Sequence, residues 1–253
     1  MGPYLKAEGL VKTFGGLKAL DGVTIEVKPS SITMVIGPNG SGKTTLINVL
    51  SGVYRPDRGR VVFNGRDITG WPPHRVYGEG LVRTFQIPAV FSRLTVLENL
   101  LVAARSNMGE SILSALLKRK EWMTQEEELV EKAEGILDLL GLSSVADRRA
   151  AELSGGQMKL LEIGRALMSG AKMLLMDEPL AGVNPKLAHE VMNHIVSLRD
   201  ELEISFLVVE HRLDIVLSYV DKVYAMHRGR VIAEGNPKEV ISDPLVAEAY
   251  LGG

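Results

Sequence analysis

The stretch SITMVIGPNGSGKTTLINVLSG, residues 31–52, decides the fold. Its first seven residues are a short, largely apolar run rich in β-branched side chains, the composition of a strand buried on both faces. Gly37 to Thr44 then fit G-x-x-x-x-G-K-[ST], and KTTLINVL reads as a helix closed by Gly52. Strand, glycine-rich loop and helix are the context this motif requires. Backbone N–H groups of such a loop, with the positive end of the helix behind them, cradle phosphate. Lys43 is placed for the β- and γ-phosphates, and Thr44 offers a hydroxyl to Mg²⁺.

Outward from this loop, KMLLMDE (172–178) and SFLVVEH (205–211) repeat the pattern of a strand buried on both faces. A helix lies between them in NPKLAHEVMNHIVSLRDE, with Asn184 as N-cap, Pro185 at the first helical position, and Leu187, Val191, Ile195 and Leu198 on one face. LKAEGLVKTF and ALDGVTIEVKP before the loop, and GRVVFNGRDI after it, read as strands of a small antiparallel sheet. From Thr95 to Leu142 the pattern turns helical, through TVLENLLVAA, SILSALLKRK and EEELVEKAEGILDLLGL. The expected fold is therefore α/β: a P-loop core with a mostly parallel sheet, a small antiparallel β subdomain and an inserted helical subdomain. Within a single domain spanning 1–253, residues 1–86 and 162–253 are assigned to the core and 87–161 to the helical part.

Composition narrows the function classes. The 253 residues are 45% apolar, enough for a large core, and the formal net charge is −2 with 29 basic and 31 acidic residues. No basic stripe marks a nucleic-acid partner, and KRK (118–120) and EEE (126–128) read as solvated helix faces. Without cysteine there is no disulfide or thiolate chemistry. No window reaches the roughly 18 apolar residues of a membrane span, and the N-terminal stretch lacks the pattern of a signal peptide. We expect a soluble, cytoplasmic chain, so that any membrane part of its process is another polypeptide.

Two further stretches carry chemistry. In MLLMDEP (173–179) an apolar strand ends in two carboxylates, at the edge where α/β sheets bind ligands. Asp177 is suited to hold Mg²⁺ through water, and Glu178 to orient or deprotonate a water that attacks the γ-phosphate. In ELSGGQMKLLEIGRALM (152–168), Ser154 and Gln157 form a capping box, which by itself explains a helix start. Two consecutive glycines after the cap lower helix propensity, yet they allow a phosphate to approach bare backbone N–H groups.

Taken in order, these motifs resemble the ATP-binding cassette (ABC) ATPases over nearly the whole chain: GPNGSGKTT as Walker A, Gln86 in RTFQ as the Q-loop, LSGGQ as the signature, MLLMDE as Walker B, and His211 in VVEH as the switch histidine. The resemblance implies ATP and Mg²⁺ as ligands. It implies that Gly37, Pro38, Asn39, Gly40, Ser41, Gly42, Lys43, Thr44 and Thr45 hold the phosphates, that Phe14 stacks on adenine, and that His211 contacts the γ-phosphate. Gln86 would link Mg²⁺ and the attacking water to the membrane partner, beside Thr44 and Asp177 as metal-binding residues. Such ATPases work as head-to-tail dimers, with an identical or homologous subunit, so Ser154, Gly155, Gly156 and Gln157 would close over nucleotide held by another chain. GLVRTFQIPAVFSRLTVLENLLVAA, AGVNP, VEHRLDIV and VAEAYLGG resemble more narrowly the branch that energises uptake of branched-chain amino acids. Asn184 departs from the aspartate most ABC members carry there. The resemblance to this branch implies transmembrane permease subunits as partners, a substrate-binding protein indirectly, and a position at the inner face of the plasma membrane, with no nucleic acid. The alternatives are the same machine with urea, amides or exported lipid as cargo, and an ABC ATPase outside transport.

Overall fold

The computed structural model describes residues 4–84, 90–105 and 119–251. Gln86 and most of SILSALLKRK lie outside the described residues. The chain forms two compact units, Met1–Gln86 with Lys172–Gly253, and Ile87–Ala171.

The described strands of the first unit are β1 (Leu5–Phe14), β2 (Leu17–Val27), β3 (Ile32–Ile36), β4 (Arg58–Phe63), β5 (Arg66–Asp67), β6 (Leu81–Arg83), β7 (Met173–Asp177), β8 (Ser205–Val209), β9 (Lys222–His227) and β10 (Arg230–Gly235). They form two sheets. An antiparallel one has the order β2-β1-β4-β5, and a six-stranded one the order β10-β9-β3-β8-β7-β6. In the larger sheet β9, β3, β8, β7 and β6 run parallel, and only the edge strand β10 is antiparallel to its neighbour. Every residue of β3, β7 and β8 is buried, which is why these strands read as apolar runs without alternation.

The two sheets share one apolar core with the helix Lys43–Leu50: Leu5, Leu20, Ile25 and Phe63 from the small sheet, Val35, Leu175, Leu207 and Tyr224 from the large one, and Leu46, Ile47 and Leu50 from the helix. The Tyr224 hydroxyl fixes the join by accepting from Glu26 N (2.9 Å) and donating to Glu26 O (3.2 Å). Helix Pro185–Leu202 buries Ala188, Val191, Met192, Ile195 and Leu198, the face its sequence period marks out. Strand order sets where the connecting loops emerge. Strand β8 lies between β3 and β7, so the loops leaving the carboxyl ends of all three open at one sheet edge, where parallel sheets collect their ligand-binding residues.

The second unit is helical, with Val96–Val102, Arg119–Leu139 and Gly155–Met168. Gly164 permits their close approach, since a Cβ there would lie 2.9 Å from Leu100 and 3.0 Å from Leu140. Buried Asn99 accepts from Phe91 N (2.8 Å) and donates to Phe91 O (3.0 Å) and Thr95 O (2.8 Å), which fixes the entry into the first helix. The sequence put the return to the core at 162, whereas this compact unit runs to Ala171. The reason is the apolar face of helix Gly155–Met168, which packs on the unit's other two described α-helices and cannot be divided in mid-helix.

Candidate phosphate-binding site

Between β3 and helix Lys43–Leu50 the backbone takes turns that only glycine takes easily. Gly37, Gly40 and Gly42 have φ of 150°, 76° and 105°. A Cβ on Gly37 would lie 2.2 Å from Met226 O, and one on Gly42 2.4 Å from Ala19 O, so this loop is seated against β9 and β2 with no room for a side chain. The helix behind it has no side-chain cap. Lys43, 6% exposed, folds back onto the loop and donates to Gly37 O (2.7 Å) and Pro38 O (2.9 Å). Burial pulls its ammonium below the usual lysine range, against the opposing pull of the Glu178 and Asp177 carboxylates. A cation held by carbonyl dipoles in a partly dry loop is suited to receive phosphate.

The loop after β7 faces it. Asp177, 7% exposed, is pushed upward from the usual carboxylate range mainly by burial; Arg83 opposes this, with its Nη2 3.2 Å from Asp177 Oδ2. Arg83 also donates to Asn48 Oδ1 on the P-loop helix. Glu178 adopts φ +52°, an uncommon conformation for a residue with a side chain, and its N–H donates to Val209 O at 2.8 Å. His211 Nε2 lies 3.3 Å from Glu178 Oε1. The structure thus brings Lys43, Asp177, Glu178 and His211 to one sheet edge.

A cavity of about 670 Å³ opens there, of the size that takes a small-molecule ligand. Its lining includes Asn39 to Thr45, Glu178 and His211, and on the other side Phe14, Leu17 and Ala19 with the basic Lys18 and Arg228. Phe14 is 42% exposed and held edge-on by Tyr54, with ring centroids 5.2 Å apart. An exposed aromatic fixed at the mouth of a phosphate-binding cavity is available to stack on a planar ring.

In the second unit, Ser154 caps helix Gly155–Met168. Its Oγ accepts from Gln157 N (3.3 Å) and its N–H donates to Gln157 Oε1 (3.0 Å), the capping box read in the sequence. Ser154 and Gly155 are exposed, Gly156 is buried, and a Cβ on Gly155 would meet nothing within 4 Å. Gln86, the remaining site residue expected from the sequence, falls outside the described residues.

Comparison with known proteins decides the family. The model of the ABC transporter family matches residues 20–181, a span that holds the phosphate loop, LSGGQ and the two carboxylates. This chain belongs to the ABC transporter ATPases. A model described as branched-chain amino acid ATP-binding cassette transporter matches residues 230–253 of the cassette. A probable branched-chain amino acid transport ATP-binding protein of Methanocaldococcus jannaschii is 54% identical over 98% of this chain and 97% of its own length. Its counterpart in Archaeoglobus fulgidus is also 54% identical, over 98% and 95%. Among solved structures, the ADP conformation of an ATP-binding cassette of an ABC transporter aligns over 100% of both chains, with 52% identity and a TM-score of 0.86. No described helix of the cassette is long and apolar enough to cross a membrane.

The cassette also uses residues that sequence reading passed over. Glu210, 2% exposed, accepts from Leu180 N (2.7 Å), His211 N (2.8 Å) and Arg212 N (3.2 Å). Arg212 Nη1 in turn donates to Val183 O at 2.6 Å. One buried carboxylate and one arginine therefore tie the loop after Glu178 to the loop bearing His211. The signal was present, since SFLVVEH, like MLLMDE, is an apolar strand ending in an acidic residue. Arg83 ends β6, whose three residues are too few to show a period.

Proposed function

We propose that the cassette is the ATP-hydrolysing subunit of an importer for branched-chain amino acids, and that its chemistry is carried by Lys43, Asp177, Glu178 and His211. The observation that supports this most is the convergence of Lys43, Glu178 and His211 on one cavity, next to Asp177, in a chain alignable end to end with named branched-chain amino acid transport ATP-binding proteins. Lys43 exchanges its bonds to Gly37 O and Pro38 O for the β- and γ-phosphates, and Phe14 receives the adenine. Glu178 takes a proton from the water aimed at the γ-phosphate. His211, its Nε2 3.3 Å from Glu178 Oε1, is placed to keep that carboxylate turned toward the water.

The donors present fit Mg²⁺. Asp177 and Thr44 offer hard oxygens, and the described residues hold no group of three or more His, Cys, Asp or Glu, as suits a cation bound mostly by phosphate and water. Bound there with Gln86, Mg²⁺ would neutralise phosphate charge. Arg83 Nη2, 3.2 Å from Asp177 Oδ2, holds one oxygen of that carboxylate.

The partners follow from the same reading. A head-to-tail dimer with itself or a homologous subunit brings Ser154 to Gln157 onto nucleotide held by the other copy, with permease subunits docking near Gln86, Phe91 and Leu94. Phe91 is 48% exposed and carries the Arg165 guanidinium over its ring, 4.9 Å from the centroid. Such a complex places the cassette at the inner face of the membrane. The test is Glu178→Gln, which should keep ATP binding while slowing hydrolysis about 10²–10⁴-fold, the scale for loss of a general base. Hydrolysis near the wild-type rate in that variant would remove Glu178 from the role.

A further inference from the structure

Gly37 opens the phosphate-binding loop, and both ends of its residue are held. Its carbonyl accepts from Lys43 Nζ at 2.7 Å, a bond that is given up when the lysine turns to phosphate. Its N–H donates to the Tyr250 hydroxyl at 2.8 Å, across 213 residues of sequence. Tyr250 lies on helix Pro244–Leu251, which buries Val246 and Ala249. The turn between β9 and β10 is bonded to the loop as well: Gly229 N donates to Ser41 O (2.9 Å). Arg228 of that turn lines both the phosphate cavity and a groove of about 300 Å³, whose other lining residues include Leu245, Glu248 and Ala249 of the helix.

We propose that helix Pro244–Leu251 positions the phosphate-binding loop through Tyr250, so that this helix raises ATP affinity and in turn senses nucleotide. Gly37 has no freedom to shift without cost, since its Cα already faces Met226 O and Ser41 Oγ where a Cβ would stand at 2.2 and 2.7 Å. The Tyr250 bond holds its N–H in that orientation before phosphate arrives, so that without it the loop must be ordered as ATP binds. Coupling of this kind is reciprocal: whatever tail contact favours ATP must itself be favoured by ATP. Tyr250 is a positioning residue, since it meets the loop at its root and touches no reacting atom. The inference rests on the ATP reading of the loop.

Tyr250→Phe in the full chain removes the hydroxyl and keeps the ring. Its dissociation constant for ATP, measured by titration calorimetry, should rise about 2- to 10-fold, the equivalent of one neutral hydrogen bond. kcat at saturating ATP should stay at the wild-type value, and the melting temperature should fall by no more than the loss of one hydrogen bond explains. In the wild type, ATP should slow amide hydrogen exchange across residues 244–251, and in Tyr250→Phe that protection should be lost. An unchanged dissociation constant, or exchange in this helix indifferent to ATP in the wild type, overturns the inference. A fall in melting temperature without a change in affinity overturns it too, leaving Tyr250 a packing residue. Lys43→Ala keeps the two readings apart: if that variant bound ATP as tightly as wild type, the ATP reading itself would fail, whereas indifference of Tyr250→Phe alone sinks only the tail coupling.

Discussion

The cassette starts two helices with glycine, and the two starts are built on opposite plans. At Lys43–Leu50 no side chain caps the helix, and the glycines are required by the chain itself: Gly42 has φ +105° and no room for a Cβ beside Ala19 O. At Gly155–Met168 the capping box satisfies the first donors internally, and Gly155 has no positive φ and open space where a Cβ would stand. The first start leaves the amides of its helix uncapped by any side chain beside the cavity, as phosphate binding requires. The second is complete as a helix start, so nothing inside this chain explains why Gly155 lacks a side chain. Under the proposed function, what a side chain on Gly155 would meet is the nucleotide held by a second copy.

Gly42→Ala against Gly155→Ala is the strongest test of that contrast. The first should lower stability by about 3 kcal/mol, from backbone strain together with overpacking, and should abolish ATP binding. The second should leave the melting temperature unchanged or raise it, by up to ~1 kcal/mol of stability from better helix propensity, while lowering hydrolysis that depends on dimer formation. Equal losses of stability in thermal unfolding would erase the distinction.

Next in size, Lys43→Ala should weaken ATP binding to the isolated subunit about 10- to 100-fold, the scale of a lost charge-assisted bond. Ser154→Arg should leave that binding as it was. In purified mixed dimers of the two variants both lesions fall on one composite site, so the other site should keep hydrolysing ATP. Hydrolysis absent from the mixed dimer would mean that each chain uses its own signature. The smallest effect is expected of Ser154→Ala, about 1 kcal/mol of stability through loss of the cap, read from denaturant midpoints. A loss near zero would show that the capping box does not hold this helix start.

Much of the site was legible because its residues act through local chain geometry. The phosphate loop announces itself through glycine spacing between an apolar strand and a helix, and Asp177 and Glu178 through carboxylates at a strand end. Glu210 was harder to see because a buried acid is recognised by the amides it accepts from, and that of Leu180 lies 30 residues away. Arg83 and Tyr250 were harder still, since their partners Asp177 and Gly37 are 94 and 213 residues distant.

By itself the sequence determined the fold class, the phosphate loop, the two carboxylates and the internal cap of the signature helix, all of which rest on periodicity, propensity and contacts within a few residues. The tertiary structure decided the order β3-β8-β7, and with it the meeting of Lys43, Glu178 and His211. It decided the clamp of Glu210 on two loops, and the reach of Tyr250 to the root of the phosphate loop. These depend on which strands become neighbours, and that is set by burying the faces of two sheets against one another, a property of the packed chain that no short stretch of it contains.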